Sequence, residues 1–118
     1  MVVGSMKYQE LTVWKKSMDL VDRIYDLSVC FPREEKFGLW SQMTRAAISV
    51  PSNIAEGSGM ATPKECVHFL SIARGSLYEL TTHLQIAERR RYCTISVELK
   101  SLINEVARML TRMMNRRT

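Results

Sequence analysis

No segment of this chain alternates apolar and polar residues between turn clusters, so strands are not expected. Long apolar runs are missing too: none approaches the roughly 18–20 residues that cross a bilayer. Cysteine is scarce. Cys30, Cys66 and Cys93 are odd in number and widely spaced, with no C-x-x-C pair, which argues against a disulfide framework or a thiolate metal site. Their pattern suits a reducing compartment, and a cytoplasmic location is expected. There are two histidines, His68 and His83, and their separation of fifteen positions places them ~22 Å apart along one helix. They cannot share a metal within a subunit, and no H-x-x-x-H spacing exists. Neither a G-x-S-x-G elbow nor a phosphate-binding loop after a strand occurs. No metal, cofactor, small-molecule substrate or catalytic activity is therefore expected.

What is present is a helix-forming chain with uneven charge. Its 118 residues, 46% of them hydrophobic, suffice for one domain with a real core. Residues 1–88 hold nine Lys/Arg against ten Asp/Glu, whereas residues 89–118 hold eight against two, a local net charge of +6. Such asymmetry points to an anionic partner, nucleic acid above all. The start, Met1-Val2-Val3-Gly4-Ser5-Met6, lacks the basic and apolar regions of a secretory signal. Residues 1–5 read as an added segment, residues 1–10 as an N-terminal extension and residues 11–118 as the folded domain.

Four segments carry helical periodicity. The first spans 11–29, with Leu11, Trp14, Met18, Val21 and Tyr25 as its apolar stripe and Asp19 and Arg23 as an i,i+4 pair; Phe31-Pro32 ends it. The second spans 34–56, with Leu39, Met43, Ala46, Val50 and Ile54 inward. Small Ala46, Ala47 and Ser49 invite a close neighbour. Pro51 predicts a kink eased by the Ser49 and Ser52 hydroxyls, and Gly57 and Gly59 predict a left-handed cap. The third opens at Thr62-Pro63-Lys64-Glu65, an N-cap, a first-turn proline and a capping box. Its seam is Cys66, Leu70, Ala73, Leu77, Leu80, Leu84 and Ala87, a heptad pattern. Gly75 in mid-helix suggests close backbone contact. The fourth spans 96–115 with Leu99, Ile103, Val106, Leu110 and Met113 inward and Arg108, Arg112 and Arg116 opposite. Short connections make the expected fold an all-α, antiparallel, up-down-up-down four-helix bundle.

Polar residues within these helices invite two readings. Asn53, Glu56 and Glu79 could form a functional carboxylate cluster. More simply, they join Arg45 and Arg74 in a hydrogen-bonded network that fixes helix register, since buried charges need partners. On that reading Glu79→Ala lowers stability or assembly. Phe69, Ile72 and Ile86 widen the apolar arc of the third helix beyond its seam and suggest a contact with a second subunit.

The segments Leu11-Thr12-Val13-Trp14, Phe31-Pro32-Arg33-Glu34-Glu35, Arg45-Ala46-Ala47-Ile48-Ser49-Val50-Pro51-Ser52-Asn53-Ile54-Ala55-Glu56-Gly57 and Phe69-Leu70-Ser71-Ile72-Ala73-Arg74-Gly75-Ser76-Leu77-Tyr78-Glu79-Leu80 resemble a bacterial family of four-helix bundles encoded by intervening sequences of 23S rRNA genes. The resemblance covers about residues 8–110. It implies an antiparallel bundle that assembles into homo-oligomeric rings, often pentamers. It also implies kinship with the accessory protein of diversity-generating retroelements, a basic barrel that binds RNA and a reverse transcriptase. The chain departs from the family pattern at Thr44 and Met60, where arginine is frequent, and at Arg89-Arg90-Arg91, where a leucine-glycine turn is common.

Two functional readings follow. In one, RNA or a ribonucleoprotein is bound through Arg89, Arg90, Arg91, Lys100, Arg108, Arg112, Arg116 and Arg117, whose positive charge, repeated around a ring, would be multiplied. In the other, the bundle is a protein-assembly scaffold without nucleic acid, and the arginines at helix C-termini serve the helix dipole.

Overall fold

A computed structural model describes residues 7–117. The proposed added segment, residues 1–5, lies outside the described residues. Four α-helices form a rod of 47 × 23 × 20 Å: α1 (Thr12–Asp26), α2 (Leu39–Ser58), α3 (Pro63–Arg89) and α4 (Val97–Arg116). Single turns of 3₁₀ helix precede α1 (Tyr8–Glu10) and fill the α1–α2 connection (Leu27–Cys30 and Arg33–Glu35). No strand occurs among the described residues. In the bundle, α1 and α3 each pack on both α2 and α4.

Local chemistry explains the helix boundaries. Thr62 Oγ1 accepts from the Glu65 amide at 3.2 Å, satisfying one of the orphan donors of α3. The Glu65 carboxylate does not reach back to the Thr62 amide; it accepts from the Thr62 hydroxyl at 2.8 Å. Ser96 caps α4 through the Leu99 amide at 3.1 Å. α1 stops earlier than its periodicity suggests, tightening after Asp26 into the 3₁₀ turn, before Phe31 turns extended ahead of Pro32. α2 begins at Leu39, five residues later than expected. The break is Gly38, whose φ of −110° and ψ of −116° are not helical. At its other end α2 runs past Gly57 to Ser58, and Gly59 caps it in the right-handed region. The left-handed cap expected there does not form. Helical structure continues through Pro51. Ser52 Oγ donates to Ile48 O at 2.9 Å and Asn53 Nδ2 to Ser49 O at 2.8 Å.

The core follows the heptad reading in three helices. Every seam residue of α3 and α4 is buried, as are Met43, Ala46, Val50 and Ile54 of α2, while Leu39 is half-buried. Fully buried leucines here each contribute about 1.5–3 kcal/mol of transfer free energy. α1 is the exception. Its buried residues are Val13, Ser17, Leu20 and Ile24, one position away from the expected stripe, whereas Met18 is 38% and Tyr25 47% exposed. The two stripes share the same spacing and differ by one residue, or ~100° of rotation. Ser17 hides the true seam, because its buried hydroxyl is satisfied locally by donating to Trp14 O at 2.7 Å.

Helix-to-helix contacts are specific. A Cβ built on Gly57 would lie 3.2 Å from both Cys66 O and the Phe69 Cβ, so α2 and α3 touch there with no room for a side chain. Nearer the middle, Ser76 Oγ donates to Ser49 Oγ at 2.8 Å. Arg74 Nη1 donates to Thr111 Oγ1 at 3.2 Å, tying α3 to α4, and Lys16 pairs with Glu105 at 3.1 Å between α1 and α4. Gly75 makes no close contact; a Cβ there would meet nothing within 4 Å. The expected Asp19–Arg23 pair does not form; among the described residues the ion pairs are Lys16–Glu105 and Lys100–Glu88.

Candidate nucleic-acid interface

The fold divides the C-terminal basic residues between two ends of the rod. Arg89 closes α3, and Arg90 and Arg91 make the turn toward α4, all three exposed. The Arg90 amide donates to Ile86 O and the Tyr92 amide to Ala87 O, both at 2.9 Å. Closing this turn forces Arg91 into the left-handed region with φ of 63°, a position where glycine is the usual residue. At the other end, Arg112 and Arg116 project from the last turns of α4. Along its 20 residues α4 separates the two groups by ~30 Å.

Arg108, Arg112 and Arg116 are exposed and spaced by four, so they form one ridge along α4. Arg112, Arg116 and Arg117 also line a cavity of about 500 Å³, together with Glu10, Leu11, Thr12, Val13, Met109 and Met113. This cavity lies where α1 begins and α4 ends. The N-cap position of α1 is Leu11, which supplies no side-chain cap, so among the described residues its first-turn amides carry the partial positive charge of a helix start without a side-chain cap. Arginine forks and these amides share one preference, an anion with several oxygens.

Lys100 stands apart from the other basic residues. It pairs with Glu88 at 3.6 Å, and the same carboxylate accepts from the Ile95 amide at 3.3 Å. Its charge is part of the α3–α4 connection.

The five residues read as a polar network do not join one another. Arg45, Glu56 and Glu79 are exposed. Asn53 bonds within α2, to Ser49 O at 2.8 Å and Ser49 Oγ at 2.9 Å, and Arg74 reaches Thr111. The polar link between α2 and α3 is made instead by short hydroxyls, Ser49 and Ser76. With Glu79 exposed and unpaired among the described residues, the expectation that Glu79→Ala weakens the fold is withdrawn. The apolar flank is also divided: Phe69 is half-buried beside Gly57, while Ile72 and Ile86 are 39% and 41% exposed.

Sequence reasoning missed a cluster beneath the Arg91 turn. Glu35 Oε1 accepts from the Leu39 amide at 3.0 Å, and Glu35 Oε2 accepts from Tyr92 Oη at 2.9 Å. The Leu39 amide first, then the Tyr92 hydroxyl, hold the Glu35 carboxyl below its ordinary range; burial opposes them and Arg90 adds a smaller pull. Phe31 packs between Trp40 and Tyr92, with centroid distances of 5.2 and 5.7 Å. Cys93 is 8% exposed. Burial first, then a hydrogen bond with Cys30, push its thiol up to about 12.

Among the described residues no group of acidic, histidine or cysteine side chains could hold a metal, and no helix is long and apolar enough to cross a membrane. No curated protein matches the chain. A family model described as "23S rRNA-intervening sequence protein" matches residues 9–112, which takes in all of α1, α2 and α3 and most of α4. The chain therefore belongs to the 23S rRNA-intervening sequence protein family.

Proposed function

We propose that this protein is a non-enzymatic, antiparallel up-down-up-down bundle that self-associates and binds RNA through its arginine-bearing ends. The helix directions are supported by the contact pairs. Between α2 and α3, Gly57 meets Phe69 while Ser49 meets Ser76. Between α3 and α4, Glu88 meets Lys100 while Arg74 meets Thr111. Residue numbers rise on one helix as they fall on its neighbour.

The observation that carries the RNA reading is the cavity at the start of α1, where Arg112, Arg116 and Arg117 stand beside uncapped helix amides. Phosphate oxygens satisfy both kinds of donor at once. The family's description, which names 23S rRNA intervening sequences, agrees with an RNA context. The test is a titration of structured RNA at rising salt. Affinity falls linearly in log-log form as counterions are released; absence of any RNA retardation at low salt overturns the reading.

A protein-assembly role without RNA is the second reading, favoured by a separate observation. Tyr8, Trp14, Met18, Val21, Ile48, Pro51, Ser52 and Ala55 line an open groove of about 320 Å³ between α1 and α2, and Ile72 and Ile86 add exposed apolar surface on α3. Self-association in a ring is common to both readings and is measured by light scattering. A monomer at micromolar concentration rules it out.

A further inference from the structure

Two cysteines that are 63 positions apart in the chain are brought together at one end of the bundle. Cys30 is exposed at the end of the 3₁₀ turn after α1, and Cys93 lies buried in the α3–α4 connection. Their sequence neighbours, Phe31 and Tyr92, pack ring against ring at 5.7 Å. Tyr92 is further anchored by its hydroxyl on Glu35 at 2.9 Å, and Cys93 belongs to the main core cluster. The two segments are therefore anchored beside each other, and the thiols are close enough to influence one another. Cys66, in contrast, is buried on α3 in the seam that faces the core.

We propose that Cys30 and Cys93 form an oxidation-responsive dithiol that closes to an intramolecular disulfide on exposure to a hydroperoxide. The difference in exposure assigns the roles. Cys30, once deprotonated, attacks a peroxide oxygen; the O–O bond breaks, and the departing hydroxide takes up a proton to leave as water. The resulting sulfenic acid on Cys30 is attacked by the Cys93 sulfur. An S–S bond forms, the S–O bond breaks, and hydroxide leaves with the Cys93 proton as a second water. Two thiols are oxidised by two electrons in total, and one hydroperoxide is reduced. The packing of Phe31 on Tyr92 holds the two segments side by side for the second step. Cys30 is exposed and Cys93 buried, so Cys30 is the entry point.

The link would staple the end of α1 to the turn that carries Arg91, two residues before Cys93. It closes a loop of more than sixty residues, the kind of crosslink that most restricts an unfolded chain.

The test treats reduced protein with hydrogen peroxide, quenches with an alkylating reagent, and maps peptides. Thermal melts are recorded without reductant. The expected result is a linked Cys30/Cys93 peptide within one chain, loss of two hydrogen masses from the intact protein, and a melting temperature raised by at least about 5 °C. Cys30→Ser, an exposed substitution that leaves the core intact, abolishes both changes; Cys66→Ser keeps both. Recovery of Cys30 as sulfinic acid with Cys93 still alkylatable, or of disulfides only between chains, overturns the proposal.

Discussion

The Tyr92 hydroxyl donates to Glu35 Oε2 at 2.9 Å across 57 positions of sequence. The other oxygen of that carboxylate accepts from the first amide of α2, Leu39, at 3.0 Å. One side chain thus both starts a helix and receives the α3–α4 connection. Tyr92→Phe and Glu35→Gln are each expected to lower the denaturation midpoint. The double variant is expected to lose less than the sum of the two, since both remove one contact. Strict additivity in a double-mutant cycle would show that the contact carries no energy.

The same carboxylate makes a pH prediction. Its pKa is depressed in the folded protein relative to the ordinary value of 4.5, so the unfolded chain binds more protons in acid. The stabilisation from Glu35 is fully present above that ordinary value and is lost as pH falls through the lower, folded value. The stability gap between wild type and Glu35→Gln, read from urea unfolding, is expected to shrink from pH 7 toward pH 3. A gap independent of pH would refute this assignment.

Two glycine-to-alanine substitutions should have opposite signs. At Gly57 a methyl would meet Cys66 O and the Phe69 Cβ at 3.2 Å, and the obstacle is backbone and a Cβ on a packed helix. Overpacking of this kind costs about 1–3 kcal/mol. At Gly75 the methyl meets nothing, and Gly75→Ala gains about 0.5–1 kcal/mol of helix propensity. Chemical denaturation of the two variants decides the matter. If self-association uses the outer face of α3, Gly75→Ala raises stability while weakening assembly, which light scattering on the same sample would reveal.

Arg91 holds a left-handed conformation with φ of 63°. Arg91→Gly relieves a conformational cost of about 1 kcal/mol and is expected to raise the melting temperature while removing a charge. Greater stability with weaker RNA retention would separate the residue's charge from its place in the fold. A lower melting temperature would mean that Arg91 contributes contacts beyond its backbone.

The arginines of the α1–α4 cavity are tested by Arg112→Ala combined with Arg116→Ala. On single-stranded RNA the loss of two phosphate contacts is expected to reduce the salt slope by about 1.4. An unchanged slope would exclude this cavity as a phosphate-binding surface. Circular dichroism checks that α4, whose core side is formed by Leu110 and Met113, stays helical.

The legible parts of this fold were those where one repeat dominates. Cys66, Leu70, Ala73, Leu77, Leu80 and Leu84 form an unbroken repeat on α3, and the whole seam is buried as expected. α1 offered two apolar stripes one residue apart, and the seam that is buried contains Ser17; periodicity alone favoured the wrong one. The start of α2 was misplaced because the acidic residues before Gly38 look like a first helical turn, whereas Glu35 acts from outside through the Leu39 amide. Arg112 and Arg116 could be placed on an exposed ridge from the wheel. Their meeting with the uncapped start of α1 could not, because it depends on which helix ends adjoin. Cys30 and Cys93 illustrate the same limit: nothing local in either segment announces a partner more than sixty residues away.

The separation of the arginines along a rod 47 Å long makes ligand length a variable in its own right. A short oligoanion can occupy one pole at a time, and its affinity reports that pole alone. On the proposed RNA-binding role, a strand long enough to reach from the Arg91 turn to Arg116 would engage the second pole as a tethered event, at a high effective concentration. Retention would then climb in a step at that reach instead of growing smoothly with nucleotide count.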